Sequence, residues 1–171
     1  MFSQHANERF VGIALVQEDG RERGRTDLGL ESSGGVGFGD DLVLVASRKG
    51  DVVALDKNKG QELWRAQVAS EVLAPPAAEA GVVVVQSVDG KLAGLASATG
   101  KRLCSLDRSE TALSLRGTAT PVILSDAVLT GFASGKIVAV NLKNGRLLWE
   151  TPVAQPQGRS EIERLIDVDV P

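Results

Sequence analysis

The sequence has few of the residues that most often carry out chemistry. Its 171 residues include one cysteine, Cys104, and one histidine, His5. A single cysteine excludes an internal disulfide, and a single histidine leaves no cluster for zinc and no base for a nucleophile. We therefore predict no catalytic residue, no metal site and no cofactor. Cys104 is expected to be a small buried hydrophobe and His5 a solvated side chain near the terminus.

Strong charge and long apolar runs are also missing. The net charge of −3 does not suit a nucleic-acid partner, so none is predicted. The longest apolar runs, at 42–46 and 82–85, are far shorter than the roughly 20 residues that a membrane-spanning helix needs. No basic segment followed by an apolar stretch opens the chain, so its start does not indicate export. With 43% apolar residues, the composition predicts a soluble globular domain.

What the chain does have is internal repetition. Three segments align without a gap: RKGDVVALDKNKGQELW at 48–64, VDGKLAGLASATGKRLC at 88–104 and ASGKIVAVNLKNGRLLW at 133–149. Each has a turn glycine on either side of a short apolar strand, and each ends at one shared position. That position holds Trp64, Cys104 or Trp149. Because it recurs in register, we predict that it serves packing in every repeat.

The repeats predict strands arranged as blades. Val and Ile recur between glycine-bearing turns, and no segment has sustained helical spacing. Four-stranded units of about 40 residues, repeated radially, form a β-propeller. We predict an all-β, partial propeller of about three to four blades over 35–171. Segment 1–34 fits the repeat poorly: 9–17 is interpreted as a strand of a preceding blade, and EDGRERGRTD at 18–27 as a charged turn or linker.

Two glycine-containing motifs are interpreted as turns. GGVGFG at 34–39 superficially resembles a phosphate-binding loop, but it leads into a strand instead of opening a helix. DKNKG at 56–60 lacks the third acidic ligand and the terminal glutamate of a calcium loop. Both are predicted to be turns, the second a β-turn that recurs in each repeat.

The connections between repeats vary in length although the repeats do not. The connection that follows Cys104 is about five residues longer than the one that follows Trp64, and TALSLRGTATP at 111–121 lies in it. We predict long inter-blade loops at 105–120 and 150–171. Insertions in repeat arrays gather on one face, which is often the binding face. Because these connections are neighbours, we expect their tips to lie side by side on one rim.

The residues of these loops allow two interpretations. An exposed pair, Leu113 and Leu115, beside Arg116 and next to the acidic Asp167 and Asp169 would suit an anchor with a charged rim for a protein partner. Alternatively, the leucines begin an inward-facing strand and Arg116 pairs with one of the two aspartates. Composition alone does not choose between them.

The motifs resemble a known family. The pattern A-L-D-x-x-x-G-x-x-x-W and its variants, ending at Trp64, Cys104 and Trp149, resembles the repeats of quinoprotein-like propellers. Two loop motifs add to this pattern: LSLRG at 113–117 and EIERLIDVD at 161–169. With them, the chain resembles the BamB family of the β-barrel assembly machinery. The resemblance implies a non-enzymatic scaffold at the periplasmic face of the Gram-negative outer membrane, assisting the folding and insertion of outer-membrane proteins.

The resemblance also implies partners and a site. It implies binding to BamA POTRA domains through Leu113, Leu115, Arg116, Asp167 and Asp169, with unfolded outer-membrane proteins as further partners. The lipid anchor of the family is missing from this chain, and about three of eight blades are expected, as in a fragment. Open blade edges predict self-association. Two alternatives remain: a cofactor-binding quinoprotein dehydrogenase fragment, which would need a vicinal disulfide, and a generic propeller adaptor.

Overall fold

The computed structural model describes residues 2–7, 10–16, 22–31, 34–107, 119–132 and 134–153, with only the backbone described up to residue 24. Within these ranges the regular structure is entirely β. The first three strands, β1 (Phe2–Asn7), β2 (Phe10–Val16) and β3 (Glu22–Asp27), form a three-stranded antiparallel sheet.

Three four-stranded antiparallel sheets follow, each with its strands in chain order. The first blade contains β4 (Gly37–Gly39), β5 (Leu42–Ala46), β6 (Asp51–Asp56) and β7 (Glu62–Gln67). The second contains β8 (Ala77–Glu79), β9 (Val82–Gln86), β10 (Lys91–Ala96) and β11 (Arg102–Asp107). The third contains β12 (Val122–Leu124), β13 (Ala127–Phe132), β14 (Lys136–Asn141) and β15 (Leu147–Pro152). The prediction of four-stranded blades is confirmed.

The core lies between neighbouring sheets. Strands β5 and β9 are buried at every position, because each middle strand is covered on both faces, and their consecutive valines and leucines are the sequence mark of that burial. Leu44 and Val52 of the first blade pack in one cluster with Val85 of the second, while Val84 of the second packs with the third blade. The sheets of the first and second blades therefore each contribute one face to each of two cores.

The GGVGFG motif differs from its predicted role. Its second half, Gly37–Gly39, forms strand β4 instead of a turn. This innermost strand runs close to the backbone of β8, where a Cβ on Gly37 or Gly39 would collide with the carbonyl oxygens of Pro76 or Ala78. The glycines are thus explained by close approach of two inner strands. DKNKG at 56–60 is a turn, as predicted, closed by Gly60 N donating to Asp56 O at 2.8 Å.

The interpretation of EDGRERGRTD as a turn or linker is wrong for Glu22–Asp27, which form β3 and pair with β2. Its last residues alternate exposed Arg25, half-buried Thr26 and exposed Asp27, the pattern of outer strands β7 and β11. An outer strand has one solvent-facing side, so its charge does not oppose pairing. That 1–34 belongs to a preceding blade stays a prediction.

Candidate functional site

The five predicted partner-binding residues lie outside the described residues: Leu113, Leu115, Arg116, Asp167 and Asp169. What the structure describes is the chain on both sides of the first long loop, up to Asp107 and from Ala119, and the base of the second loop up to Val153. The bases show where each of the two loops leaves its sheet. The shorter connection at 68–76 serves as a comparison.

Both long loops start from the same end of their blades. Strand β11 finishes at Asp107, paired with Lys91, and β15 finishes at Pro152, paired with Lys136. Each partner lysine follows the glycine hairpin that joins the two middle strands of its blade. At the second loop, Val153 N donates to Gly135 O at 2.9 Å, so the hairpin glycine holds the chain as it leaves the sheet. The bases of the two loops therefore share one rim of the molecule.

The two blades that carry these loops are joined by a buried polar contact near that rim. Gln86 Nε2 donates to the carbonyl oxygen of Gly131 at 3.0 Å, and the Thr130 hydroxyl donates to Gln86 Oε1. Gln86 and Thr130 are both buried. Since buried amides and hydroxyls are costly when unpaired, this reciprocal arrangement fixes how the second and third blades meet.

The described charges beneath the loops are paired with one another. Lys91 Nζ lies 2.9 Å from Asp89 Oδ2 and 3.9 Å from Asp107 Oδ2, and its hydrogen bond to Asp89 raises the pKa of Lys91. Partial burial opposes ionisation of Asp89, but hydrogen bonds from Ser87 and Lys91 outweigh it and lower the pKa of that carboxyl. On the third blade, Lys136 lies 3.2 Å from Glu150. Both lysines are at least a third exposed, so these pairs orient the rim more than they stabilise it.

The shorter connection shows how little chain the passage between two blades requires. Val68, Val72 and Ala74 are buried in it, and Val88 N of the next hairpin donates to Glu71 O at 2.9 Å. Its apolar residues are thus used for packing between the first and second blades. The connection after Cys104 spans the same step with more residues, and the excess falls within 108–118, outside the described residues.

The position predicted to serve packing has three different environments. Trp64 is 8% exposed and packs over Gly100 of the next blade, with Nε1 donating to Ser97 O at 2.6 Å, which confirms the prediction there. Trp149 is 47% exposed, and the described residues include no further blade that could cover it, so packing at this position of the third blade stays a prediction. Cys104 is only partly buried, contrary to expectation, because it borders a pocket.

Two further observations concern chemistry and membranes. Across the described ranges, no three His, Cys, Asp or Glu side chains gather where they could hold a metal ion. None of the described residues belongs to a helix long and apolar enough to cross a membrane.

Comparison with known proteins identifies the family. A family model described as outer membrane protein assembly factor BamB matches residues 10–171. The chain belongs to the BamB family. A BamB from Nitrosomonas eutropha is 40% identical over 156 residues, which cover 91% of this chain and 38% of that protein. The chain thus spans about two fifths of the length of the curated BamB relatives it matches.

Solved structures agree on the fold. The crystal structure of BamB from Moraxella catarrhalis superposes with a TM-score of 0.83 at 24% identity, over 95% of this chain and 52% of that one. A quinohemoprotein alcohol dehydrogenase from Comamonas testosteroni gives a TM-score of 0.55 at 23% identity, over 71% of this chain and 21% of that one. At these identities the likeness shows the fold alone, a partial quinoprotein-like β-propeller, as predicted.

Proposed function

We propose that this chain is part of a non-enzymatic scaffold of the β-barrel assembly complex, at the periplasmic face of the Gram-negative outer membrane. Its proposed role is to bind BamA POTRA domains and assist the folding and insertion of outer-membrane proteins. The observation that carries this proposal is the BamB family match over residues 10–171, together with relatives named as outer membrane protein assembly factors.

The proposed docking surface consists of the two long loops. Leu113 and Leu115 are proposed to bury against an apolar patch of a POTRA domain, with Arg116 paired to a carboxylate there. Support comes from the loop bases: the chain leaves the sheet after Asp107 and after Pro152 on one rim of two adjoining blades. Loops that start side by side can present one joint surface to a partner, in which the central apolar and arginine side chains contribute most of the binding energy.

Asp167 and Asp169 are proposed to act in one of two ways, which differ in their consequences. They either contact a basic residue of the partner or hold Arg116 in its binding conformation. Reversing both charges, with Arg116→Glu and Asp169→Arg in one chain, restores the pairing within the chain but not the pairing with a partner. Recovery of binding in that double variant, compared with Arg116→Glu alone, would assign the aspartate to support of Arg116.

The deciding experiment is a titration of this chain against soluble BamA POTRA domains. Arg116→Glu is expected to weaken binding about 30-fold, the equivalent of about 2 kcal/mol for an anchor residue. Arg146→Glu is the matched control, because exposed Arg146 lies in the turn between β14 and β15, at the opposite end of the third blade. Circular dichroism verifies β structure in each sample.

Several outcomes would contradict the proposal. Equal loss of binding in the Arg116 and Arg146 variants would show that the change in net charge, and not the loss of Arg116 itself, weakens binding. Unchanged binding in a folded Arg116→Glu chain would move the site elsewhere and favour a generic adaptor. Dye reduction after addition of quinone and calcium would contradict the non-enzymatic role.

We also propose that outer strand edges mediate self-association. Strand β15 is exposed along its whole length, including Leu147, Leu148 and Trp149. Among the described strands none pairs with the outer edge of β15. An apolar strand at the edge of a sheet favours pairing with a second chain. Analytical ultracentrifugation is expected to show an oligomer that Trp149→Glu weakens; a strictly monomeric wild-type chain would refute this. Pairing of the same edges with unfolded outer-membrane proteins stays a prediction.

A further inference from the structure

One face of the third blade is not covered by any other described sheet. Its apolar side chains are partly or largely exposed: Leu129, Ile137, Trp149 and Val153. At the equivalent positions of the first blade, the side chains are buried in the cluster shared with the second blade: Leu44, Val52, Trp64 and Val68. The repeat thus gives the third blade the same apolar face, which we call the open face, and a sheet of the same repeat fits it.

The first sheet, β1–β3, ends the row of described sheets on the other side. The hydroxyl of Thr26 in β3 donates to Gly60 O at 2.6 Å, so this sheet lies beside the first blade. None of the described core clusters lies on the side of the first sheet that faces away from the first blade. The row therefore ends in two sheets without a neighbour, the first sheet and the third blade.

The inner edges of these two sheets are complementary. In the first blade, a Cβ on Gly37 or Gly39 would come within 1.9 Å of a carbonyl oxygen of the neighbouring inner strand segment at β8. The equivalent residues of the third blade are Val122 and Leu124, which are 52% and 54% exposed. Side chains of this size exclude an inner strand as close as β8. The first sheet suits them, because no described strand lies on the inner side of β1.

The number of sheets is that of half a propeller. The described residues form four sheets, and 95% of the chain superposes on 52% of the BamB chain from Moraxella catarrhalis. Two copies would supply twice four sheets, within the four to eight blades of typical closed propellers. Head-to-tail contacts close into a ring when the rotation between copies permits it, and a half-turn between two half-propellers does so.

We propose that two copies of this chain close one propeller, with the open face of each third blade packed against the first sheet of the other copy. The inference rests on the proposed self-association and assigns it to sheet faces, in place of outer strand edges. It does not use the docking loops for BamA. Leu124 and Trp149 are its central side chains, exposed in the single chain and buried in the dimer.

Sedimentation velocity over a range of chain concentrations tests the closure. Single chains and dimers are expected, without larger species, because the ring leaves no sheet face open. Leu124→Glu is expected to weaken the dimer about 100-fold, roughly tenfold at each of two junctions, since both would bury a carboxylate. Leu63→Glu is the matched control and is expected to leave the dimer unchanged, because Leu63 is 52% exposed on β7, away from both closing sheets.

Acrylamide quenching of tryptophan fluorescence needs no variant. Of the two tryptophans, Trp64 is buried and Trp149 is 47% exposed, so quenching reports mainly on Trp149. Quenching is expected to fall as the dimer forms, whereas pairing through outer edges alone would leave it constant. In dilute, monomeric chain Trp149 stays half exposed.

A tandem chain, in which two copies are joined end to end, tests the head-to-tail arrangement. It is expected to close on itself and sediment as a monomer. A tandem chain that dimerises would overturn the arrangement, because packing of one open face on another would leave one such face free in each molecule.

Three further results would overturn the proposal: a strictly monomeric wild-type chain, growth beyond two chains, or a dimer that is unaffected by Leu124→Glu and keeps Trp149 open to acrylamide. The last result would leave edge pairing through β15 in place, since Leu124 lies on β12 at the other edge of the third blade. Binding to BamA POTRA domains is titrated separately, so none of these results would contradict the proposed docking.

Discussion

The first and second blades are joined differently from the second and third, although both junctions are built from the same repeat. At the first junction the indole of Trp64 fills the space between sheets, and the position equivalent to Gln86 holds a buried alanine, Ala46. At the second junction Cys104 leaves a pocket, and Gln86 instead spans the gap to Thr130 and Gly131. Shape complementarity and buried hydrogen bonding are thus alternative ways to lock neighbouring sheets in place.

The two tryptophans also differ in burial, although they are equivalent in the repeat. Trp64 and Trp149 occupy one position of the repeat, yet one is 8% exposed and the other 47%. Their own strands pair in the same register, with Ala54 and Ala139 opposite them. Burial at this position therefore depends on whether a neighbouring sheet covers the side chain, as the second blade covers Trp64, and not on the repeat alone.

The largest effect is expected from Trp64→Ala. Removing a buried indole together with its hydrogen bond to Ser97 O is expected to destabilise the fold by about 3–5 kcal/mol. Trp149→Ala is the matched control, expected to cost less than about 1 kcal/mol because that side chain is half exposed. Urea denaturation followed by circular dichroism measures both, and equal costs would show that burial of the indole does not decide how much it stabilises the fold.

A slightly smaller effect is expected from Gly100→Ala. The residue has φ of +70°, and its new methyl group would lie 2.5 Å from Trp64 Cε3. Left-handed strain and overpacking together are expected to cost about 3 kcal/mol. Gly81→Ala separates the two causes, because Gly81 has φ of +83° with open space around its Cβ position, and should cost about 1 kcal/mol. A Gly100 variant no worse than the Gly81 variant would argue against tight packing of the indole.

At the second junction, Thr130→Val is expected to cost about 2 kcal/mol. The substitution keeps the side-chain shape but leaves the buried Gln86 Oε1 without its donor. Gln86→Leu combined with Thr130→Val removes both polar side chains and leaves only Gly131 O without its donor, so the pair should cost less than the sum of the single changes. Strictly additive unfolding free energies would refute a coupled polar lock between these blades.

The smallest effect concerns the exposed turn of the first blade. Asn58 N and Lys59 N each donate to Asp56 Oδ1 at 2.8 Å, and the hydrogen bond from Lys59 contributes most to lowering the pKa of Asp56. A carboxyl whose folded pKa is depressed adds stability above its unfolded pKa, and this is lost as the pH falls through the folded pKa.

Asp56→Asn is therefore expected to lower the melting temperature slightly near pH 7 and to reduce its fall in acid, because the amide keeps the turn hydrogen bonds but does not titrate. The third blade provides the precedent: Asn141 Oδ1 accepts from Lys143 N and Asn144 N at 3.0 and 3.2 Å in the equivalent turn. Thermal melts from pH 2 to 7 compare the variant with the wild type. An unaltered acid slope would mean that the turn carboxylate titrates alike in both states.

The sequence predicted those features that depend on a local, repeated pattern. It did not predict features that depend on contacts with another strand or sheet. Turn glycines and valine runs predict the blades, since these features act within a few residues. The charge of Glu22–Asp27 concealed β3, because strand pairing depends on β2. The pocket could have been anticipated, since Gly94 and Cys104 both depart from the repeat, but its existence depends on the facing surface of the third blade. That Leu113, Arg116 and Asp169 bind a protein partner stays a prediction, because these residues lie outside the described part of the chain.

The division of the core between neighbouring sheets has a consequence for how such a chain can evolve. Because Val52 of the first blade shares a cluster with Val85 of the second, and Val84 of the second shares another with Val138 of the third, each cluster depends only on two adjacent sheets. Duplication of the DNA that encodes one blade would add one such cluster and leave the others intact. A substitution in one copy, such as cysteine for tryptophan, then alters a single junction, so that novelty can arise in one blade while the rest preserve the fold.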